Sequence, residues 1–177
     1  MRNLKHKKET FMDLLNIAKE LENSAALFYQ ELAKSTKVGE FSGIFNDLAR
    51  EEKKHFEIFD KWRKDERPPD LENFVPQVTD TKAIFESLSE QFKASTGEFT
   101  SRSQIFKMAI ELERKSIDHY RRILGSSDAE LSVHRALVER IVAQEENHIR
   151  VITALAEFLR HPGEWLENAE FNHRDEF

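Results

Sequence analysis

The 177-residue chain has no cysteine. That excludes disulfides, thiolate metal sites and a cysteine nucleophile. Only five Gly and four Pro occur, too few punctuators for a turn-rich β-sandwich or barrel. No apolar run approaches the ~20 residues that would span a bilayer. No basic start followed by an apolar stretch marks an export signal. The cytoplasm is therefore the expected compartment, with no membrane partner. An excess of positive charge is also lacking: the net charge is −6, and the KHKK at residues 5–8 is too short a patch for nucleic acid. What remains is 34% charged and 39% hydrophobic residues, a balance suited to long amphipathic helices in one compact domain.

Four segments carry helical periodicity. The first is expected from Phe11 to Ser35, with Thr10 as N-cap, and the second from Val38 to Lys64, with RPP at 67–69 just beyond. The third is expected from Arg102 to Leu124, opened by a Ser101/Gln104 capping box and stopped at Gly125. The fourth runs from Asp128 to Arg160, with Ser127 and Glu130 capping it and Pro162 closing it. Short joins pair the first helix with the second and the third with the fourth. A long connection, Asp65 to Ser101, lies between the pairs and contains a short helix capped by Asp80. This is an all-α, four-helix bundle of two hairpins and one crossover. Residues 1–160 form the bundle, and 161–177 form a tail that is acidic and aromatic.

Each helix has an apolar stripe, and each stripe is interrupted at mid-length by polar residues. The second helix reads Phe41, Phe45, Leu48, Glu52, His55, Phe56, Phe59, Trp62, so Glu52 and His55 lie on the core face while Glu51, Lys53 and Lys54 point elsewhere. The fourth reads Val138, Ile141, Glu145, His148, Ile152, Leu155, Leu159. The first carries Glu22 among Leu15, Ala18, Ala25, Tyr29 and Leu32. The third carries Glu113 among Phe106, Ala109, Ser116, Tyr120 and Ile123. Glu22 and Tyr29 match Glu113 and Tyr120 at an offset of 91 residues, and Glu52 and His55 match Glu145 and His148 at an offset of 93. These two tyrosines are the only ones in the chain.

A single Glu-x-x-His is weak: roughly one such match arises by chance in a chain of this composition. Glu170-x-x-His173 in the tail interrupts no stripe and is read as that chance match. A lone core histidine is more often satisfied by a backbone carbonyl than by a metal. The set is different. Four carboxylates in mid-bundle repel one another and each is desolvated, and two divalent cations neutralise them. One Glu from each of two helices plus Glu-x-x-His from each of the other two is the ligand arrangement of dinuclear carboxylate bundles. The expected metal ligands are Glu22, Glu52, His55, Glu113, Glu145 and His148. Glu52 and Glu145 bridge, Glu22 and Glu113 are terminal, and each histidine holds one metal. The donors suit two Fe ions, or Mn, and tolerate Zn. Tyr29 and Tyr120 either donate hydrogen bonds to ligand carboxylates or are plain core tyrosines.

The phrases ELENSAALFYQELA, LAREEKKHFEIF, AIELERKSIDHY and AQEENHIRVI resemble the ferritin-like superfamily, and most closely the rubrerythrin-type di-iron domain, over roughly residues 10–160. The resemblance implies a carboxylate-bridged di-iron site that reacts with hydrogen peroxide or dioxygen, in a homodimer. Two features depart from that family's pattern. Rubrerythrins usually carry a rubredoxin-like domain with four cysteines; here the electron donor is expected to be a separate protein. Many also carry a further Glu three residues after the third-helix ligand, where this chain has Ser116, so the site resembles the more symmetric centre of bacterioferritin. Four functions follow as expectations. The first is a di-iron oxidoreductase acting on peroxide or dioxygen, and the second an iron-binding ferroxidase for storage or delivery. The third is an oxidase or hydroxylase of an organic substrate, given room near the metals by Ala18, Ala25 and Ser116. The fourth is a metal-free interaction bundle.

Overall fold

The computed structural model describes residues 2–36, 39–64, 103–125 and 129–160, with side chains for 11–36, 41–64, 105–125 and 134–160. Four helices account for nearly all of them: α1 Arg2–Ser35, α2 Gly39–Arg63, α3 Ser103–Gly125 and α4 Ala129–Arg160. All four prolines (positions 68, 69, 76 and 162) fall outside these helices. The third helix stops at Gly125 as expected. The first does not start at Phe11. It starts at Arg2, so Thr10 is an interior residue and not a cap. The residues ahead of it, RNLKHKKE, contain no Gly or Pro and are mostly straight-chain helix formers, so nothing stops the backbone from continuing. The short helix from Asp80, the capping residues Ser101 and Ser127, the acidic tail and Glu170/His173 lie outside the described residues.

Polar contacts fix the directions of the helices. Ser42 Oγ donates to the Ala33 carbonyl at 2.9 Å beside the first turn, and Arg63 Nη1 donates to Asn16 Oδ1 at 3.0 Å at the far end. Helices α1 and α2 are therefore antiparallel. Arg135 reaches the Leu124 carbonyl (2.8 Å) and Arg121 reaches Glu146 (3.2 Å), which makes α3 and α4 antiparallel as well. Helix α1 packs on α3, with His119 near the end of α3 against Leu14 near the start of α1. The rings of Phe41 and Phe158, and of Trp62 and His134, join α2 to α4. It follows that α2 and α3 run in the same direction. The connection between them joins opposite ends of the bundle, which is why it is long.

The core forms two apolar clusters. One holds Tyr29, Phe45, Leu48, Phe106, Ile152 and Phe158; the other holds Leu15, Phe59, Trp62, Tyr120, Ile123 and Ile141. All six mid-stripe polar residues lie between them, fully or almost fully buried. Three stripe assignments shift. Leu32, Phe56 and Leu159 are only half-buried, and Ala33, Ile58 and Phe158 take the core positions instead. A helix facing two neighbours buries a wider arc than a single seam. Phe56, at the edge of that arc, lies under the Lys19 ammonium, 5.1 Å from its ring centroid.

Two substitutions test this packing. Leu48 is fully buried, so Leu48→Ala should lower the unfolding free energy by about 2–5 kcal/mol in urea denaturation. Gly43 sits inside α2, where an added Cβ meets nothing within 4 Å. Gly43→Ala should therefore stabilise by about 0.5–1 kcal/mol; a loss of stability would show that the backbone there needs glycine.

Candidate metal centre

Each helix brings its polar residues to one level because they interrupt the apolar stripe at mid-length. The result is two groups of four buried donors. Glu22, Glu52, His55 and Glu145 form one, and Glu52, Glu113, Glu145 and His148 form the other; within each group the donor atoms all lie within 4.8 Å of one another. Glu52 and Glu145 belong to both groups. The two imidazole rings lie 6.0 Å apart and nearly stacked. His55 Nδ1 is 3.0 Å from Glu145 Oε1 and 3.4 Å from Glu22 Oε2, while His148 Nδ1 is 2.8 Å from Glu52 Oε1 and 3.2 Å from Glu145 Oε2. Glu22 Oε2, Glu52 Oε1, Glu113 Oε2, both Glu145 oxygens and His148 Nδ1 are buried without a hydrogen bond of acceptable geometry. Unsatisfied buried acceptors are costly and rare. Their convergence on one point suits a pair of divalent cations, which would satisfy all of them.

The surroundings hold these side chains in place. The Tyr29 hydroxyl donates to Glu113 Oε1, and the Tyr120 hydroxyl donates to Glu22 Oε1. Each bond crosses from one hairpin to the other. The outer ring nitrogens are also engaged. His148 Nε2 is 2.8 Å from Glu51 Oε2, and His55 Nε2 is 2.8 Å from Gln144 Oε1. Glu51 accepts through its carboxylate and Gln144 through its amide oxygen, so each ring directs an Nε2 proton outward and turns Nδ1 to the centre, where a cation would take the place of any proton on it. Glu51 overturns the expectation that it points away: it is 1% exposed. It neighbours α4 across the bundle, and the wider buried arc of α2 takes it in. The sequence did carry a signal. Glu51 and Gln144 each immediately precede the glutamate of a core-facing Glu-x-x-His. His119, the third buried histidine among the described residues, is ordinary by contrast. Its Nε2–H donates to the Leu14 carbonyl at 2.7 Å, and burial lowers its pKa.

Charge is distributed unevenly across the cluster. Desolvation, with repulsion from Glu145 and Glu52, pushes Glu22 well above the ordinary carboxylate range. Desolvation with the charges of Glu52 and Glu145 does the same to Glu113. Burial opposes ionisation of Glu52 and Glu145 too. The imidazoles outweigh it, His148 above all for Glu52, and both carboxyls are driven down. Burial disfavours the imidazolium forms of His55 and His148, yet the surrounding carboxylates raise both. Without a cation, the cluster balances its own charge by holding protons on Glu22, Glu113 and both histidines. Burial and the adjacent carboxylates likewise raise Tyr29 and Tyr120, which stay protonated donors.

A family model described as Rubrerythrin matches residues 13–156. No curated protein and no solved structure matches the chain. The chain belongs to the rubrerythrin family, with the all-α bundle of the ferritin-like fold.

Metal uptake must displace the protons that the raised Glu22, Glu113, His55 and His148 hold. Protons compete with the cation, so apparent affinity should rise with pH for as long as these groups remain protonated. Calorimetry in buffers of different ionisation enthalpy should record proton release on binding; affinity independent of pH would show that the cluster is already deprotonated.

Proposed function

We propose that this member of the rubrerythrin family is a di-iron carboxylate oxidoreductase that reduces hydrogen peroxide or dioxygen with electrons from a separate donor. The observation that carries the reading is the sharing of Glu52 and Glu145 by two otherwise distinct four-donor groups. On this reading those two carboxylates bridge a pair of iron ions. Glu22 and Glu113 are terminal ligands, and His55 and His148 bind one iron each. Two bound ferrous ions supply the electron pair that, with two protons, converts hydrogen peroxide into two waters. The chain's own side chains do the rest. The apolar clusters on either side keep bulk water out. Tyr29 and Tyr120 hold the terminal carboxylates in orientation. On this reading a separate redox protein re-reduces the centre.

One observation favours a second reading. Three residues after Glu113, the buried residue is Ser116 and not a carboxylate. The donor groups are then near mirror images, an arrangement equally suited to oxidising Fe(II) for storage or delivery.

The test is metal analysis of protein loaded anaerobically with Fe(II), alongside Glu52→Gln and Glu145→Gln. About two irons per chain are expected in the parent, with loss of the pair in each variant, because each substitution removes a donor common to both positions. No specific iron in the parent overturns the reading. Peroxide consumption sustained by an artificial reductant then separates the two activities. A ferroxidase would oxidise its Fe(II) once and accumulate or transfer the product.

A further inference from the structure

We propose that the two metal positions are inequivalent and fill in order, the position that includes His148 first, because Glu51 backs that imidazole with a carboxylate while Gln144 backs His55 with an amide. The inference rests on the metal-site reading above.

The site is built almost symmetrically. Glu22 corresponds to Glu113, Glu52 to Glu145 and His55 to His148, and the two hydroxyl bonds, from Tyr29 and Tyr120, are reciprocal. Both outer imidazole contacts measure 2.8 Å and run from one Glu-x-x-His helix to the other. The distances match; the chemistry does not. A carboxylate can only accept, so Glu51 commits His148 to the tautomer whose Nδ1 faces the centre. It also withdraws the Nε2 proton, which makes Nδ1 the stronger donor, and adds negative charge on that side. An amide oxygen accepts more weakly, brings no charge, and can exchange places with its own NH2 donor by rotation. Gln144 therefore neither strengthens His55 nor commits its tautomer to the same degree. Another buried departure from symmetry near the donors is Ser116 where the first hairpin has Ala25.

The test uses Zn(II), which has no redox chemistry, on the intact metal-free protein. Calorimetry gives the two stepwise affinities, and imidazole 15N NMR identifies the histidine engaged at one equivalent. The first equivalent should shift the ring nitrogens of His148 and leave those of His55 in place. Glu51→Gln should weaken the first step by roughly 10–100-fold. Gln144→Glu should strengthen the second step by roughly 10-fold or more and change the first by no more than about two-fold. Ser116→Ala should leave the order unchanged. Intrinsically equal positions would behave differently even if the two cations repelled each other: both histidines would shift together, and Glu51→Gln would weaken mainly the second step. Either result overturns the inference and leaves the metal site standing, as does loss of the order in Ser116→Ala. Absence of specific Zn(II) binding to the parent overturns the inference and the metal-site reading together.

Discussion

Four glutamates share the dry centre of this bundle, and the rest of the architecture follows from that constraint. Like charges at such separations, in a medium much less polar than water, cannot all remain ionised unaided. The protein has two ways to meet the problem. It can keep protons on some of the groups, as the raised Glu22 and Glu113 indicate, or it can hold cations. The first leaves several buried acceptors without good hydrogen bonds. The second satisfies them. The same geometry thus makes the metal-free cluster a weak point and the metal-bound cluster a stabilising one, since a ligand that binds only the folded state adds to its stability.

The hairpin topology gives the cluster its form. Neither hairpin carries a complete group of four donors: Glu22, Glu52 and His55 need Glu145 from α4, and Glu113, Glu145 and His148 need Glu52 from α2. The supporting bonds cross in the same way, from Tyr29 to Glu113 and from Tyr120 to Glu22. Donor geometry therefore exists only when the hairpins are docked, and the apolar clusters on both sides supply the docking energy. Burial and coordination are linked, because burial removes the competing water and the docked helices set the spacing.

Much of this was legible in the sequence, since helical periodicity is a direct record of which side chains face inward. Glu22, Glu52, His55, Glu113, Glu145 and His148 were all visible as interruptions of apolar stripes, and the structure gathers all six. The departures along the stripes have a common origin. A stripe drawn at steps of three and four describes one seam, while a helix in a four-helix bundle faces two neighbours. Ile58 and Phe158 lie beyond the seam and are buried; Glu51 does too, and its charge made it look solvent-facing. The early start of α1 was missed for another reason. A plausible cap at Thr10 outweighed the absence of any residue that would stop the helix from extending further.

Glu51 and His119 together show why residue type alone does not reveal function. His119 is as buried as His55, yet its Nε2 proton is used on a backbone carbonyl and the ring faces no carboxylate through its other nitrogen. It completes the packing of α3 on α1. Glu51 holds the outer nitrogen of His148, and so determines which nitrogen is offered to the converging carboxylates. What separates structural from chemical roles here is the direction in which the second polar atom points. A histidine whose outer nitrogen is held by an acceptor, and whose inner nitrogen faces several carboxylates, is a donor held ready for a cation. A histidine with one nitrogen on a carbonyl and the other beside an arginine is not. The pattern in the chain locates the layer, and the hydrogen bonds around it decide what each residue in that layer can do.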